Sequence, residues 1–274
     1  MSLFTVDQDK CKRDGICEAE CPIRLIEFKE KEAFPTAVSG ADERCVACGH
    51  CVTVCPHGAL SLKTVKPSDC LTIDQKLIPN PEQLEHFLKS RRSIRSFKDK
   101  PVERTLIEKL IDIARFAPSG HNTQPVHWLV FDDKDKTHRL SALVVDWMRY
   151  MIANMPQIAG PLHMEDLVEK WDQGIDRVCR SAPCIIVAHA PAAAPTSQGS
   201  CTIALSHLEL AAYAQKLGAC WAGYLGIAAS TFPPLVQELA LSEGHQAFGA
   251  MMIGYPKFAY HRIPPRVEPR ITWR

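Results

Sequence analysis

Four cysteines between residues 45 and 55 stand in the pattern C-x2-C-x2-C-x3-C-P: Cys45, Cys48, Cys51 and Cys55, followed by Pro56. At this spacing three thiolates grip one face of an iron-sulfur cube and the fourth is placed to reach a different cluster. An earlier segment repeats the pattern. Cys11, Cys17, Cys21 and Pro22 recur 34 residues later as Cys45, Cys51, Cys55 and Pro56, and Gly15 recurs as Gly49. The broken position is Cys48, whose counterpart is Asp14. Cross-ligation assigns Cys45, Cys48, Cys51 and Cys21 to one cluster, and Cys11, Cys17 and Cys55 to the other, with Asp14 in the vacant slot. A zinc site would want C-x-x-C pairs separated by a longer spacer, which this segment lacks. A carboxylate is a harder ligand than a thiolate, so the iron facing Asp14 is expected to be held less tightly than its neighbours.

These motifs resemble a bacterial two-cluster ferredoxin over about residues 3–65. The resemblance implies two 4Fe-4S clusters, the one beside Asp14 being either 3Fe-4S or an Asp-ligated 4Fe-4S form.

A second set of groups lies further on. Arg91, Arg92, Ser93 and Arg95 bring three guanidiniums and a hydroxyl together, groups suited to phosphate oxygens and to the carbonyl edge of a heterocycle. Pro118-Ser119-Gly120-His121-Asn122-Thr123-Gln124-Pro125 places two amide side chains just before a strand-like VHWLVF, where they could read donors and acceptors on a ring edge. Taken alone, the first segment also reads as a solvated basic face ending a helix, and the second as an ordinary polar turn.

In this order and at this separation, the two segments resemble the nitroreductase family of flavoenzymes. Leu217-Gly218-Ala219-Cys220-Trp221-Ala222-Gly223-Tyr224 resembles its glycine-containing turn, and Gly254-Tyr255-Pro256 followed by Tyr260-His261-Arg262 resembles its C-terminal phosphate-binding element. The likeness covers roughly residues 83–274. It implies FMN, with Arg91, Arg92 and Ser93 at the phosphate and ribityl end and Arg95 at the pyrimidine edge. Ser119, Asn122 and Gln124 would meet ring and ribityl polar atoms, Ala222 and Gly223 would turn backbone amides to the reactive nitrogen, and Arg262 would complete the phosphate clamp. A lysine found two places before that cation in some members is here Tyr260, leaving Lys257 or Arg266 to compensate. The family implies an intertwined homodimer with FMN at the subunit interface. No protein general acid is nominated, because the flavin carries the chemistry.

The elements that must position these groups are readable. A capped helix is expected after Asn80 and Pro81, with Leu84, Phe87 and Leu88 on one apolar face, and an amphipathic helix over ERTLIEKLIDIARFA. The expected class is α+β: a small ferredoxin-like domain at 1–66, a linker at 67–82, and at 83–274 an FMN-binding three-layer α/β/α sandwich with a mostly antiparallel sheet. The 274 residues are 46% hydrophobic and 23% charged, which supports a real core. Thirty-two Lys and Arg against 31 Asp and Glu name no nucleic acid or anionic membrane as partner. MSLFTVDQDK lacks a basic start followed by an apolar stretch, so a cytoplasmic protein is expected. Twelve cysteines in a reducing compartment point to metal in the N-terminal cluster, and Cys70, Cys179, Cys184, Cys201 and Cys220 read as small buried hydrophobes. His121 and His189 read as surface or hydrogen-bonded structural residues.

There is no G-x-G-x-x-G after a strand and no P-loop. In the resembled family a nicotinamide stacks directly on the flavin, so reduced ferredoxin and NAD(P)H both stand as donors. The leading expectation is an FMN-dependent oxidoreductase of a small electron-poor acceptor, nitroaromatic or quinone, with electrons relayed through iron-sulfur clusters. The alternative is an electron-transfer or redox-sensing module for a protein partner, and a third reading is a reductive dehalogenase or flavin-modifying relative.

Overall fold

The structure, a computed structural model, describes residues 3–30 and 33–274, which divide into two units. The first contains residues 1–78 and the short turn His121–Thr123. In it β1 (Phe4–Val6) pairs antiparallel with β4 (Leu60–Leu62), Phe4 opposite Leu62, and β2 (Ile26–Glu27) pairs with β3 (Thr36–Ala37). Three one-turn helices, α1 (Ile16–Ala19), α2 (Ala41–Arg44) and α3 (His50–Thr53), complete the described elements. The 34-residue repeat is visible in the backbone. Gly15 and Gly49 open α1 and α3 at φ 77° and 76°, a left-handed conformation that costs glycine least. Leu25, Ile26, Val52, Leu60 and Leu62 form a small core that also encloses Cys17 and Cys51.

The second unit holds 79–120 and 124–274. Asn80 caps α4 (Pro81–Ser90) as the sequence predicts: its Oδ1 accepts from the Gln83 amide at 2.8 Å, and Gln83 Oε1 accepts from the Asn80 amide at 3.0 Å. The helix's expected apolar face is not covered within the chain, since Leu84 and Leu88 are exposed and only Phe87 finds an aromatic partner, Tyr213, at 5.1 Å. A four-stranded sheet follows the order β5 (His127–Phe131), β6 (Cys184–Pro191), β8 (His245–Gly254), β7 (Gly218–Trp221), every pair antiparallel. Side chains alternate across a strand, and β6 is buried on both sides. Its Cys184, Ile186 and Ala188 pack with α5 (Arg104–Ala114) and α9 (Ser197–Ala214). Its Ile185 and Val187 pack with α6 (Lys134–Asn154), α10 (Gly223–Thr231) and α11 (Pro233–Leu239), beside the shorter α7 (Pro156–Ala159) and α8 (Met164–Asp172). This is the expected three-layer sandwich with an antiparallel sheet. Among the described residues no helix is long and apolar enough to cross a membrane.

Candidate functional site

In the first unit the thiols fall into two neighbourhoods. Cys21, Cys45, Cys48 and Cys51 line one small cavity of about 20 Å³, walled by Leu3, Phe4, Leu25, Ile26 and Leu62. Burial pushes the Cys51 thiol up to about 12, and the charges of Cys21, Cys48 and Cys45 push it the same way. Burial likewise raises Cys17 to about 11, with Cys11 and Cys55 adding to it. Cys17 acts on Cys51 as well, so the two sets of thiols adjoin. Thiolates crowded out of water need a compensating cation, and an all-sulfur donor set suits iron in a cluster or another soft metal. Among the described residues no three donor atoms already close on one point. The pseudo-repeat extends to outer contacts: the Leu25 amide donates to Cys21 Sγ at 3.2 Å and the Ala59 amide to Cys55 Sγ at 3.4 Å. Such bonds to cysteine sulfur are one of the levers on a cluster's potential. Asp14 is exposed, and its Oδ1 accepts from the Ile16 amide at 3.2 Å.

In the second unit, segments distant in sequence converge where β6 and β7 begin and β8 ends. Ile94 donates its amide to Ala219 O at 2.9 Å, with Ser93 bridged to Ala219. Lys98 donates to Tyr255 O at 2.8 Å and Lys257 to Ser96 O at 2.9 Å, zipping residues 96–98 to the chain leaving β8. The glycines at 218 and 254 let the layers approach, because a Cβ there would lie 2.7–2.8 Å from Ile94 and from Phe97 and Pro183. An open recess of about 1040 Å³ results, lined by Arg92, Lys216, Lys257 and Arg262 with Tyr213, Tyr255, Phe258 and Tyr260, and by no carboxylate. Cations beside aromatic faces, without a counter-charge, fit an anionic ligand carrying a ring. Lys257 lines this recess with Arg262, whereas Arg266 is exposed on the tail beyond it.

The remaining predicted residues separate from this recess. Arg91 turns to Glu209 on α9 at 2.7 Å, in a pair whose side chains are 23% and 12% exposed. Arg95 is exposed and donates to Ser93 O at 3.5 Å. The Ala222 amide is bonded to Ala250 O at 2.9 Å, so it is not available to a ligand; Gly223 opens α10, where amides have no intrahelical partner. Ser119 Oγ accepts from the Gln124 amide at 2.9 Å, and both residues line a small cavity with Trp128 and Ser200. Asn122 lies in the first unit, donating its amide nitrogen to Val46 O at 3.3 Å and Ala47 O at 3.1 Å. His189 is no isolated histidine, since its Nδ1 is 3.0 Å from that of His245. Cys179, Cys184, Cys201 and Cys220 are buried as expected, and Cys70 is half-buried with its sulfur 3.3 Å from Lys66 O.

Two groups escape a reading of the sequence. Glu209 sits unremarkably within a helix, and nothing in the string couples it to Arg91 118 residues away. Arg180 stands at φ 59° in a turn held by Asp176, whose carboxylate accepts from the amides of Val178, Cys179 and Ser181. Burial, then the neighbouring guanidinium of Arg95, hold the Arg180 pKa below its ordinary value.

The family model described as nitroreductase family matches residues 88–255, more than half of the chain. The chain belongs to the nitroreductase family. Ahead of that domain a 4Fe-4S dicluster domain model matches residues 9–59, which contain all eight predicted ligand positions. A 4-nitrobenzoate reductase of Pseudomonas putida is 39% identical over 94 residues, 33% of this chain and 37% of that protein. Iodotyrosine deiodinase 1 of Rattus norvegicus is 31% identical over 119 residues, 42% of this chain and 39% of that protein. The chain thus spans little more than a third of the length of these two curated relatives. A nitroreductase with bound FMN from Desulfitobacterium hafniense superposes with a TM-score of 0.56 at 23% identity, covering 72% of this chain and 99% of that structure, a likeness of fold. The basic recess at the sheet end takes Arg92, Tyr213, Lys216 and Tyr255 from the matched segment and Lys257, Phe258, Tyr260 and Arg262 from just beyond it.

Proposed function

We propose that this nitroreductase-family oxidoreductase binds FMN and reduces a small electron-poor acceptor, nitroaromatic or quinone, with electrons supplied through two iron-sulfur clusters. The observation that carries the reading is the carboxylate-free recess holding Arg92, Lys257 and Arg262, in a chain that also carries two groups of thiols. Arg92 and Arg262 would hold the phosphate, and Lys257 supplies the charge that Tyr260 cannot. The Gly223 amide would face the ring. When bound, FMN exchanges electrons in pairs with an acceptor and singly with a cluster. The protein's part is to bind, orient and exclude water.

The site is built between two copies. Ser119 and Gln124 precede β5, and His127 at its start pairs with His189 near the end of β6. The cationic recess lies where β6 begins. These ends are separated by an eight-residue strand, about 25 Å, farther than one FMN reaches. If both sets contact the same flavin, a second chain must supply one of them. Cys45, Cys48, Cys51 and Cys21 would ligate one cluster, and Cys11, Cys17 and Cys55, with Asp14, the other.

A second reading, reductive dehalogenation of an iodinated or chlorinated phenol, is favoured by the likeness to iodotyrosine deiodinase. Anaerobic purification with flavin, iron and sulfide analysis tests the cofactors. Stopped-flow reduction by NADH, NADPH and reduced ferredoxin, followed by 4-nitrobenzoate, a benzoquinone and iodotyrosine as acceptors, tests donor and substrate. Recovery of FAD alone, of a monomer with full flavin occupancy, or of a protein that reduces none of these acceptors would overturn the reading.

A further inference from the structure

Three histidines meet at the end of the sheet opposite the basic recess. His127 begins β5, His189 lies opposite it on β6, and His245 begins β8. A register shift between Ala188 and His189 falls just where the second ring joins the group. The centroids of the three rings are 4.8 Å apart for His127 and His245, 5.1 Å for His189 and His245, and 5.4 Å for His127 and His189. His189 Nδ1 is 3.0 Å from His245 Nδ1, so one of the two nitrogens carries no proton.

The spacing is informative. Imidazole nitrogens on a tetrahedral ion at about 2.0–2.1 Å are about 3.3 Å from one another, and their ring centroids are about 5.2 Å apart. All three observed separations lie close to that value. We propose that His127, His189 and His245 bind one divalent first-row cation of borderline softness, such as Zn²⁺, between the three strands. Among the described residues no group of three His, Cys, Asp or Glu side chains is already arranged to hold an ion, and His127, exposed and without a ring-nitrogen contact to the other two, is the one that would have to turn to complete the set. The side chains otherwise suit the task. His189 is 7% exposed and its ring is held against that of His245, so two of the three imidazoles are already positioned. Three nitrogen ligands leave a fourth position for water. An ion here would tie the edge strand β5 to β6 and β8.

Cobalt(II) titration of the anaerobically isolated protein, clusters and flavin in place, tests the proposal. The wild type is expected to take up one ion per chain, with visible ligand-field bands and no thiolate-to-metal charge transfer in the near ultraviolet. His127→Ala, at an exposed position, should weaken binding by at least about tenfold, the scale seen even when outer-shell partners are lost. His245→Ala should do the same; without metal, His127→Ala should melt close to the metal-free wild type, whereas His245→Ala also takes a hydrogen-bond partner from the buried His189 and should melt lower. Failure of the wild type to bind cobalt more tightly than the His127→Ala/His245→Ala double variant would overturn the site, leaving a hydrogen-bonded imidazole pair. Thiolate charge-transfer bands on the bound ion would overturn it too, because the ion would then sit on cysteine.

Discussion

Gly218→Ala should separate flavin binding from folding, because what it disturbs is position. Gly218 opens β7, and its backbone does not need the left-handed conformations that favour glycine. Its requirement is space: a Cβ at 218 would lie 2.7 Å from Cβ, Cγ1 and Cγ2 of Ile94. Carbon atoms rest at about 3.5–4.0 Å, so the layers must part by about 1 Å. Ile94 is buried, branched at Cβ and bonded through its amide to Ala219 O at 2.9 Å, and it cannot swing aside. Residues 92–95 must shift with it, carrying Arg92 away from Arg262. Overpacking of this kind costs about 1–3 kcal/mol, or about 2–12 °C in Tm at about 2–4 °C per kcal/mol for a domain of this size. Displaced by about 1 Å, the cations should lose at least about tenfold in FMN affinity, about 1.4 kcal/mol. The assays are fluorescence titration of deflavinated protein with FMN, well below the melting transition, and thermal melts of the same samples. Gly199→Ala is the control, because a Cβ there meets nothing within 4 Å and α9 should gain about 0.5–1 kcal/mol. Wild-type FMN affinity together with wild-type Tm in Gly218→Ala would refute the argument.

Other expectations follow from single contacts. Arg91→Ala strands the mostly buried Glu209 carboxylate and should destabilise the nitroreductase domain by about 2–3 kcal/mol, whereas Arg91→Ala with Glu209→Leu should recover most of the loss in thermal melts; equal Tm values for wild type and Arg91→Ala would discard the pair as a structural element. Because burial, then His127 and His245, lower the His189 pKa, the unfolded chain binds the extra proton first. The contribution is therefore complete above about pH 6.5 and declines as the pH falls through the window below it, so metal-free protein should melt lower at acidic than at neutral pH, and His189→Gln should flatten that slope. Chemical analysis should find iron and sulfide for two clusters per chain, and zinc without acid-labile sulfide would remove the ferredoxin reading. Oxidised protein should give a low-temperature 3Fe-4S resonance that Asp14→Cys suppresses; two oxidation-resistant 4Fe-4S clusters in both proteins would show that Asp14 does not weaken its iron.

The local rules written in the string were obeyed. Asn80 caps α4, and Gly15 and Gly49 open the repeat-related turns, because each depends on residues a few positions apart whose geometry the backbone sets. The concentration of positive charge at residues 91–95 was legible in the same way. Which guanidinium faces the recess was not. Arg91 is held by Glu209 and Arg92 by no carboxylate among the described residues, a choice made when α9 packs against α4 and visible only in three dimensions. The amide of Ala222 was lost to the sheet for a similar reason, since the register of β7 on β8 decides whose carbonyl it meets. The histidines at 127, 189 and 245 are far apart in sequence, and antiparallel pairing with one irregularity brings their rings together. Short-range order follows from local sterics and hydrogen bonds, but the partner of a charge or a ring follows from strand register and helix packing, which are properties of the whole core.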